Sequence, residues 1–81
     1  MSYAIIVDKP ARKFIERQAY MQQVRLIHAI FALPHTGDIV PMKGQNGYRL
    51  RVGTYRVIFE RDDVNMTVTV TRIGNRGDVY K

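Results

Sequence analysis

A Gly-first dipeptide, Gly53-Thr54, interrupts the alternating stretch Tyr48-Arg49-Leu50-Arg51-Val52-Gly53-Thr54-Tyr55-Arg56-Val57-Ile58-Phe59, and no other feature restricts the fold as tightly. Such a pair suits a type II′ turn, so the runs on either side are expected to fold back on each other with Val52 facing Tyr55, Arg51 facing Arg56 and Leu50 facing Val57. Side chains alternate along a strand. Tyr48, Leu50, Val52, Tyr55, Val57 and Phe59 therefore line one face, and Arg49, Arg51 and Arg56 line the other. Like charges directly opposite one another, with Cβ atoms about 5 Å apart, weaken an antiparallel pair. A face built this way calls for an anion.

The rest of the chain supplies layers for this hairpin. Tyr3 to Val7 is a short β-branched run ended by Asp8-Lys9-Pro10, which reads as a strand and then a helix start, with Asp8 as cap and Pro10 in the first turn. Ala11, Phe14, Ile15 and Gln18 have helical spacing, which places the end of a first helix near Tyr20 and leaves Arg12, Lys13 and Arg17 as a solvated face. Met21 to Leu33 reads as a second helix stopped by Pro34, and so brief a link predicts an antiparallel helical hairpin. His35 to Gly47, with one proline and three glycines, has no period and reads as a connecting loop. Asp62-Asp63 marks the next turn. Folding about it sets Met66 opposite Phe59, Val68 opposite Val57 and Val70 opposite Tyr55, with Thr67, Thr69 and Thr71 beside Ile58 and Arg56 on the polar face. Beyond Val70 the alternation fails, since Arg72 would point to the core and Ile73 away from it, so a strand end or bulge belongs there. The predicted class is α+β: an N-terminal strand, an antiparallel helical hairpin, then a three-stranded antiparallel meander, with the helices packed on one face of the sheet.

Residues 1–81 have room for one core, so they are read as a single domain. The absence of cysteine excludes disulfides and thiolate metal sites, and the two histidines, His28 and His35, read as a helix residue and a loop residue. Glu16, Asp38 and Glu60 fall on different elements, which argues against a paired-carboxylate site. A formal charge of +6 favours a polyanion or an acidic protein as partner. The four consecutive apolar residues Ala4 to Val7 are too few for a signal peptide or a membrane span, so a cytoplasmic protein with no membrane association is expected.

Lys43-Gly44, the hairpin from Tyr48 to Phe59, and the ending Ile73-Gly74-Asn75-Arg76-Gly77-Asp78-Val79-Tyr80 together resemble the RelE/ParE superfamily of toxins from type II toxin–antitoxin systems, and the RelE branch most. The likeness extends over nearly the whole chain. Its most specific part is the tyrosine-arginine strand combined with the Arg-x-Asp-Val-Tyr ending. The resemblance implies a ribosome-dependent endoribonuclease that cuts mRNA by attack of the RNA's own 2′-hydroxyl on the adjacent phosphate, without metal or other cofactor. It implies a cognate antitoxin and the ribosome with mRNA as partners, a toxin–antitoxin hetero-oligomer, and a free toxin that is a monomer. Carried over by position, Arg56 holds the scissile phosphate, Arg51 assists it, Arg76 is the arginine of the closing motif, and Tyr80 stacks on a base or assists proton transfer. Lys43, Arg49, Arg72 and Lys81 are the matching RNA contacts.

One departure bears on the chemistry. Asn75 stands where many relatives carry histidine, and it does not titrate near neutrality. Arginine is a poor general base, which leaves Tyr80, with an ordinary pKa of about 10, as the nearby candidate and the base itself open. A ParE-like gyrase inhibitor and a non-cleaving member that binds nucleic acid or antitoxin are the alternative readings.

Overall fold

The hairpin forms as its turn chemistry dictates. Gly53 has φ +59° while Thr54 keeps a negative φ, the pattern of a type II′ turn. It joins β3, Tyr48–Val52, to β4, Tyr55–Asp62, with Val52 opposite Tyr55, Arg51 opposite Arg56 and Leu50 opposite Val57. The computed structural model describes residues 2–44 and 46–75. Within them the other elements are β1 (Ala4–Val7), α1 (Lys9–Glu16), α2 (Tyr20–Phe31), β2 (Asp38–Pro41) and β5 (Thr67–Asn75). The sheet has five strands in the order β1-β5-β4-β3-β2, antiparallel throughout except for the β1–β5 pair.

The α+β class and the placement of the helices agree with the sequence reading, and the meander gains a fourth strand. The predicted loop from His35 to Gly47 contains β2, which pairs Asp38 with Arg51, Ile39 with Leu50, Val40 with Arg49 and Pro41 with Tyr48. Pro41 masks it in the sequence, yet a proline is tolerated on an edge strand because no ladder partner is lost on the outer side. Gly37 makes the approach of β2 to β3 feasible. Its φ is +125°, and a Cβ there would stand 2.6 Å from Leu50 Cδ1.

The helices are shorter than their apolar spacing suggests. Arg17 N–H and Gln18 N–H donate to Phe14 O and Ile15 O, a tightening that ends α1 at Glu16 rather than near Tyr20. Side-chain amides then take up the exposed carbonyls: Gln18 Nε2 donates to Phe14 O at 3.1 Å, and Gln23 Nε2 donates to Gln18 O at 2.9 Å. Asp8 occupies the N-cap position but its side chain makes no capping bond. Its backbone N–H instead donates to Val70 O, which holds it as the continuation of β1.

The second turn is longer than the sequence suggested. Asp62 Oδ1 accepts the backbone N–H groups of Val64 and Asn65, both at 3.0 Å, and Oδ2 accepts Asn65 Nδ2 at 2.8 Å. This organises a loop from Asp63 to Met66, with Met66 at φ +54°, so that Asp62 pairs with Thr67 and Phe59 with Val70. The expected pairing of Val70 with Tyr55 is thus displaced by an even number of residues, and the faces survive the error. The failure of alternation after Val70 is a bulge: Ile58 pairs with Arg72 while Phe59 pairs with Val70, leaving Thr71 as the extra residue, its hydroxyl donating to Ile58 O at 3.3 Å. The bulge turns Arg72 to the polar face and Ile73 to the core.

Ala11 and Ile15 of α1, with Leu26, Ile30 and Leu33, pack on Leu50, Val57, Phe59, Val68 and Val70 of the sheet. Tyr48 stacks on Phe59 at 5.5 Å between centroids, and Phe14 meets Tyr55 edge-on at 5.8 Å. The Tyr55 hydroxyl donates to Gln18 Oε1 at 3.0 Å, tying the hairpin tip to the link between the helices. Among the described residues, no helix is long and apolar enough to cross a membrane.

Candidate nucleic-acid interface

The period-2 alternation that sends Leu50 and Val57 under the helices sends Arg49, Arg51 and Arg56 to the opposite face. Two rows of partners cross the sheet there. One runs Asp38, Arg51, Arg56, Gly74 from β2 to β5, and the next runs Val40, Arg49, Ile58, Arg72. Four arginines from three strands therefore share one face, Arg72 having joined it through the bulge. The expected hydroxyl floor beside Arg56 is not there. Thr69 pairs with Glu60 and Thr67 with Asp62, further along β4, because the long turn shifts β5, and Gly74 takes the place next to Arg56.

The arginines differ in exposure. Arg51 and Arg72 are exposed, Arg49 is half-buried, and Arg56 is only 7% exposed. Arg56 Nη1 donates to Tyr55 O at 3.3 Å, whereas its buried Nε has no acceptor among the described residues. Among the described residues no carboxylate comes within ion-pair distance of it. Arg51 Nε lies 3.6 Å from Asp38 Oδ2. A buried guanidinium without a counter-anion is costly, and its planar fork matches two oxygens of a phosphate or carboxylate. This combination makes Arg56 the point of the face best suited to receive an anion.

Arg61 shows what a satisfied arginine on the same strand looks like. It pairs with Val68 on the helix side of the sheet, its Nε lies 2.8 Å from Asp63 Oδ1, and its guanidinium sits 5.8 Å from the Tyr3 ring centroid and 6.0 Å from that of Tyr48. The Tyr3 hydroxyl also donates to Asp63 Oδ1, at 2.8 Å. The Arg61 hydrogen bond, then that of Tyr3, holds the Asp63 carboxyl below the usual range, and the bond to Asp63 pushes the Tyr3 phenol above its own. Arg61 is thus committed to a carboxylate within the protein, and Arg56 has no such partner among the described residues.

No protein-family model and no curated protein sequence matches the chain. Solved structures do. The archaeal RelE–RelB complex from Pyrococcus horikoshii aligns with a TM-score of 0.78 at 19% identity, over 98% of this chain and 100% of that one. The RelB–RelE antitoxin–toxin complex from Methanococcus jannaschii aligns at 0.74 and 26% identity, over 93% and 94%. The isolated RelE toxin of E. coli aligns at 0.72 and 20% identity, over 98% and 92%. The chain has the RelE fold.

Within this RelE fold the site residues read from sequence divide into three groups. Arg49, Arg51, Arg56 and Arg72 are brought together on one face. Lys43 is exposed in the loop between β2 and β3, at the end of the sheet where Pro41 pairs with Tyr48. Arg76, Tyr80 and Lys81 lie outside the described residues. Asn75 pairs with Tyr55, a register that assigns it to the helix side of the sheet while Gly74 lies on the arginine side. Two neighbours of this face were missed. Asp38 was legible only once its segment was recognised as a strand. Arg25 of α2 packs against the hairpin turn, where a Cβ on Gly53 would stand 2.8 Å from Arg25 Nη2, and no local signal in the sequence announces that contact.

Proposed function

We propose that this chain is the toxin of a toxin–antitoxin pair and that it cleaves mRNA on the ribosome, in the cytoplasm. The observation that carries this reading is Arg56, a buried guanidinium with no anionic partner among the described residues, set among three further arginines on the face of a RelE fold that the helices leave to other uses.

In the proposed reaction the 2′-oxygen of a ribose attacks the adjacent phosphorus, the bond from phosphorus to the 5′-oxygen breaks, and a cyclic phosphate and a free 5′-hydroxyl result. The proton leaves the attacking hydroxyl, and another is delivered to the departing oxygen. Extra negative charge builds on the phosphate oxygens during attack. Arg56 receives it in a desolvated position where each hydrogen bond is worth more than in water, and Arg51 lies directly across the ladder to share it. The resemblance assigns Arg76 and Tyr80 to the same chemistry, with Tyr80 as the candidate for proton transfer. Lys43, Arg49 and Arg72 follow the RNA backbone on either side.

The proposed antitoxin is an acidic segment with an amphipathic helix. Tyr20, Met21, Val24, Ile27 and Phe31 form an exposed apolar stripe on α2, and Val24, Ile27 and Phe31 are 44, 40 and 64% exposed. A groove of about 310 Å³ adjoins the stripe between the helices, lined by Val7, Ile15, Ile27 and Phe31 together with Arg12, Glu16 and Gln23. Apolar walls on a domain of net charge +6 fit an acidic amphipathic helix better than a second, equally cationic copy.

Cleavage of mRNA on purified ribosomes, read by mapping new 5′ ends, tests the activity. Loss of cleavage in Arg56→Ala with an unchanged far-UV spectrum is expected. Unchanged translation together with inhibited DNA supercoiling by gyrase would overturn the ribonuclease reading.

A further inference from the structure

The row Asp38, Arg51, Arg56, Gly74 places one acid on a basic face. The Asp38 and Arg51 side chains are 60% and 51% exposed, with 3.6 Å between Oδ2 and Nε. The other acids on this face, Glu60 and Asp62, stand opposite Thr69 and Thr67 of β5, so Asp38 is the one that faces an arginine. Its position has a mechanical consequence. Arg51 is flanked by a cation, Arg56, on one side and by an anion on the other, which draws its guanidinium toward the sheet edge and away from Arg56. Gly74 contributes no side chain on the far flank of Arg56.

We propose that Asp38 is a positioning residue of the phosphate site: it holds Arg51 back from Arg56 in the free protein and yields it to an RNA phosphate seated on Arg56. This rests on the ribonuclease reading above. Carboxylate and phosphate are alternative acceptors for one guanidinium fork, and an exposed pair is weak enough to open when the stronger anion arrives. Asp38 thereby lowers the affinity of the resting face for stray polyanions while leaving Arg51 aimed for the correct one. The charge that Arg51 brings to the site becomes conditional on a phosphate already being in place.

The test uses two probes on the full chain, inorganic phosphate followed through the Arg Nε–Hε NMR signals and a fluorescent single-stranded RNA followed by anisotropy at several salt concentrations. Asp38→Asn is expected to bind both probes about two- to fivefold more tightly, the range set by an exposed ion pair. Its salt slope for RNA should steepen by up to about 0.7, the contribution of one more neutralised phosphate. Asp38→Glu, which keeps the carboxylate, should stay nearer the wild type. In an Arg51→Ala background Asp38→Asn should have no further effect, because the coupling runs through that arginine. An equal gain with and without Arg51, or no gain at all, overturns the positioning role and leaves the ribonuclease reading standing if RNA binding still depends on Arg56. Coupling seen with phosphate alongside RNA binding that ignores Arg56 supports the role of Asp38 at an anion site and removes the ribonuclease reading instead.

Discussion

Gly74 stands directly opposite Arg56 on the neighbouring strand, so the buried guanidinium has a residue without a side chain on one flank and Arg51 on the other. A sheet optimised for stability would fill that position with an apolar side chain and cover it. Arg56→Met is therefore expected to raise the unfolding free energy by about 1–3 kcal/mol, since replacing a buried charge with no counter-ion among the described residues by an apolar side chain of similar length is often stabilising. Cleavage should fall by at least about 100-fold, the usual effect of removing one donor from a developing oxyanion. Urea unfolding and ribosome-dependent cleavage on the same preparation check the pair of effects. A destabilised variant that still cuts would make Arg56 part of the scaffold.

RNA binding should weaken steeply with salt, at about 0.7 in logarithmic slope for each phosphate neutralised on a single strand. Arg49→Ala and Arg72→Ala each remove one cation from the second row of the face, so each is expected to flatten the slope by about that amount. Anisotropy titrations across a range of potassium chloride concentrations measure it. A flat response in the wild type would point to a protein target.

Asp63 links Tyr3 and Arg61 outside the proposed site, and its titration has a definite sign. The Arg61 bond, then that of Tyr3, depresses its folded pKa. Asp62 is depressed in the same sense, first by the Asn65 side chain and then by the Asn65 backbone N–H. A depressed folded value means that the stabilisation is fully present above the unfolded value, near pH 4, and is lost as pH falls through the folded value. The melting temperature of Asp63→Asn should therefore lie below that of the wild type at about pH 6, with the gap closing on acidification below about pH 4. A gap that widens in acid would contradict the assignment.

Gly37→Ala is expected to destabilise the domain by about 1–3 kcal/mol, through a left-handed backbone that alanine resists and a methyl group placed against Leu50 Cδ1. Because Gly37 immediately precedes β2, amide exchange at Ile39 and Val40 should accelerate before exchange in β4 does. Hydrogen exchange resolved by residue reads this directly. Uniform acceleration across the sheet would mean that β2 is not a separable edge.

Short-range pattern carried much of this protein into view. The alternation from Tyr48 to Phe59 and the demand of Gly53 for a left-handed φ depend on neighbours a few residues apart, so the hairpin, its two faces and the pairing of Arg51 with Arg56 were legible from the chain alone. The irregularity after Val70 was legible for the same reason, as a break in the period-2 rule that fitted a strand end or a bulge, and it is a bulge. What tertiary structure decided depends on groups distant in sequence. The strand character of Asp38–Pro41 exists only against β3, and the β4–β5 register was set by a loop that Asp62 organises through three hydrogen bonds. The burial of Arg56, between β3 and β5, was likewise not legible, because a side chain's charge is written in the sequence while its dielectric surroundings belong to the folded whole.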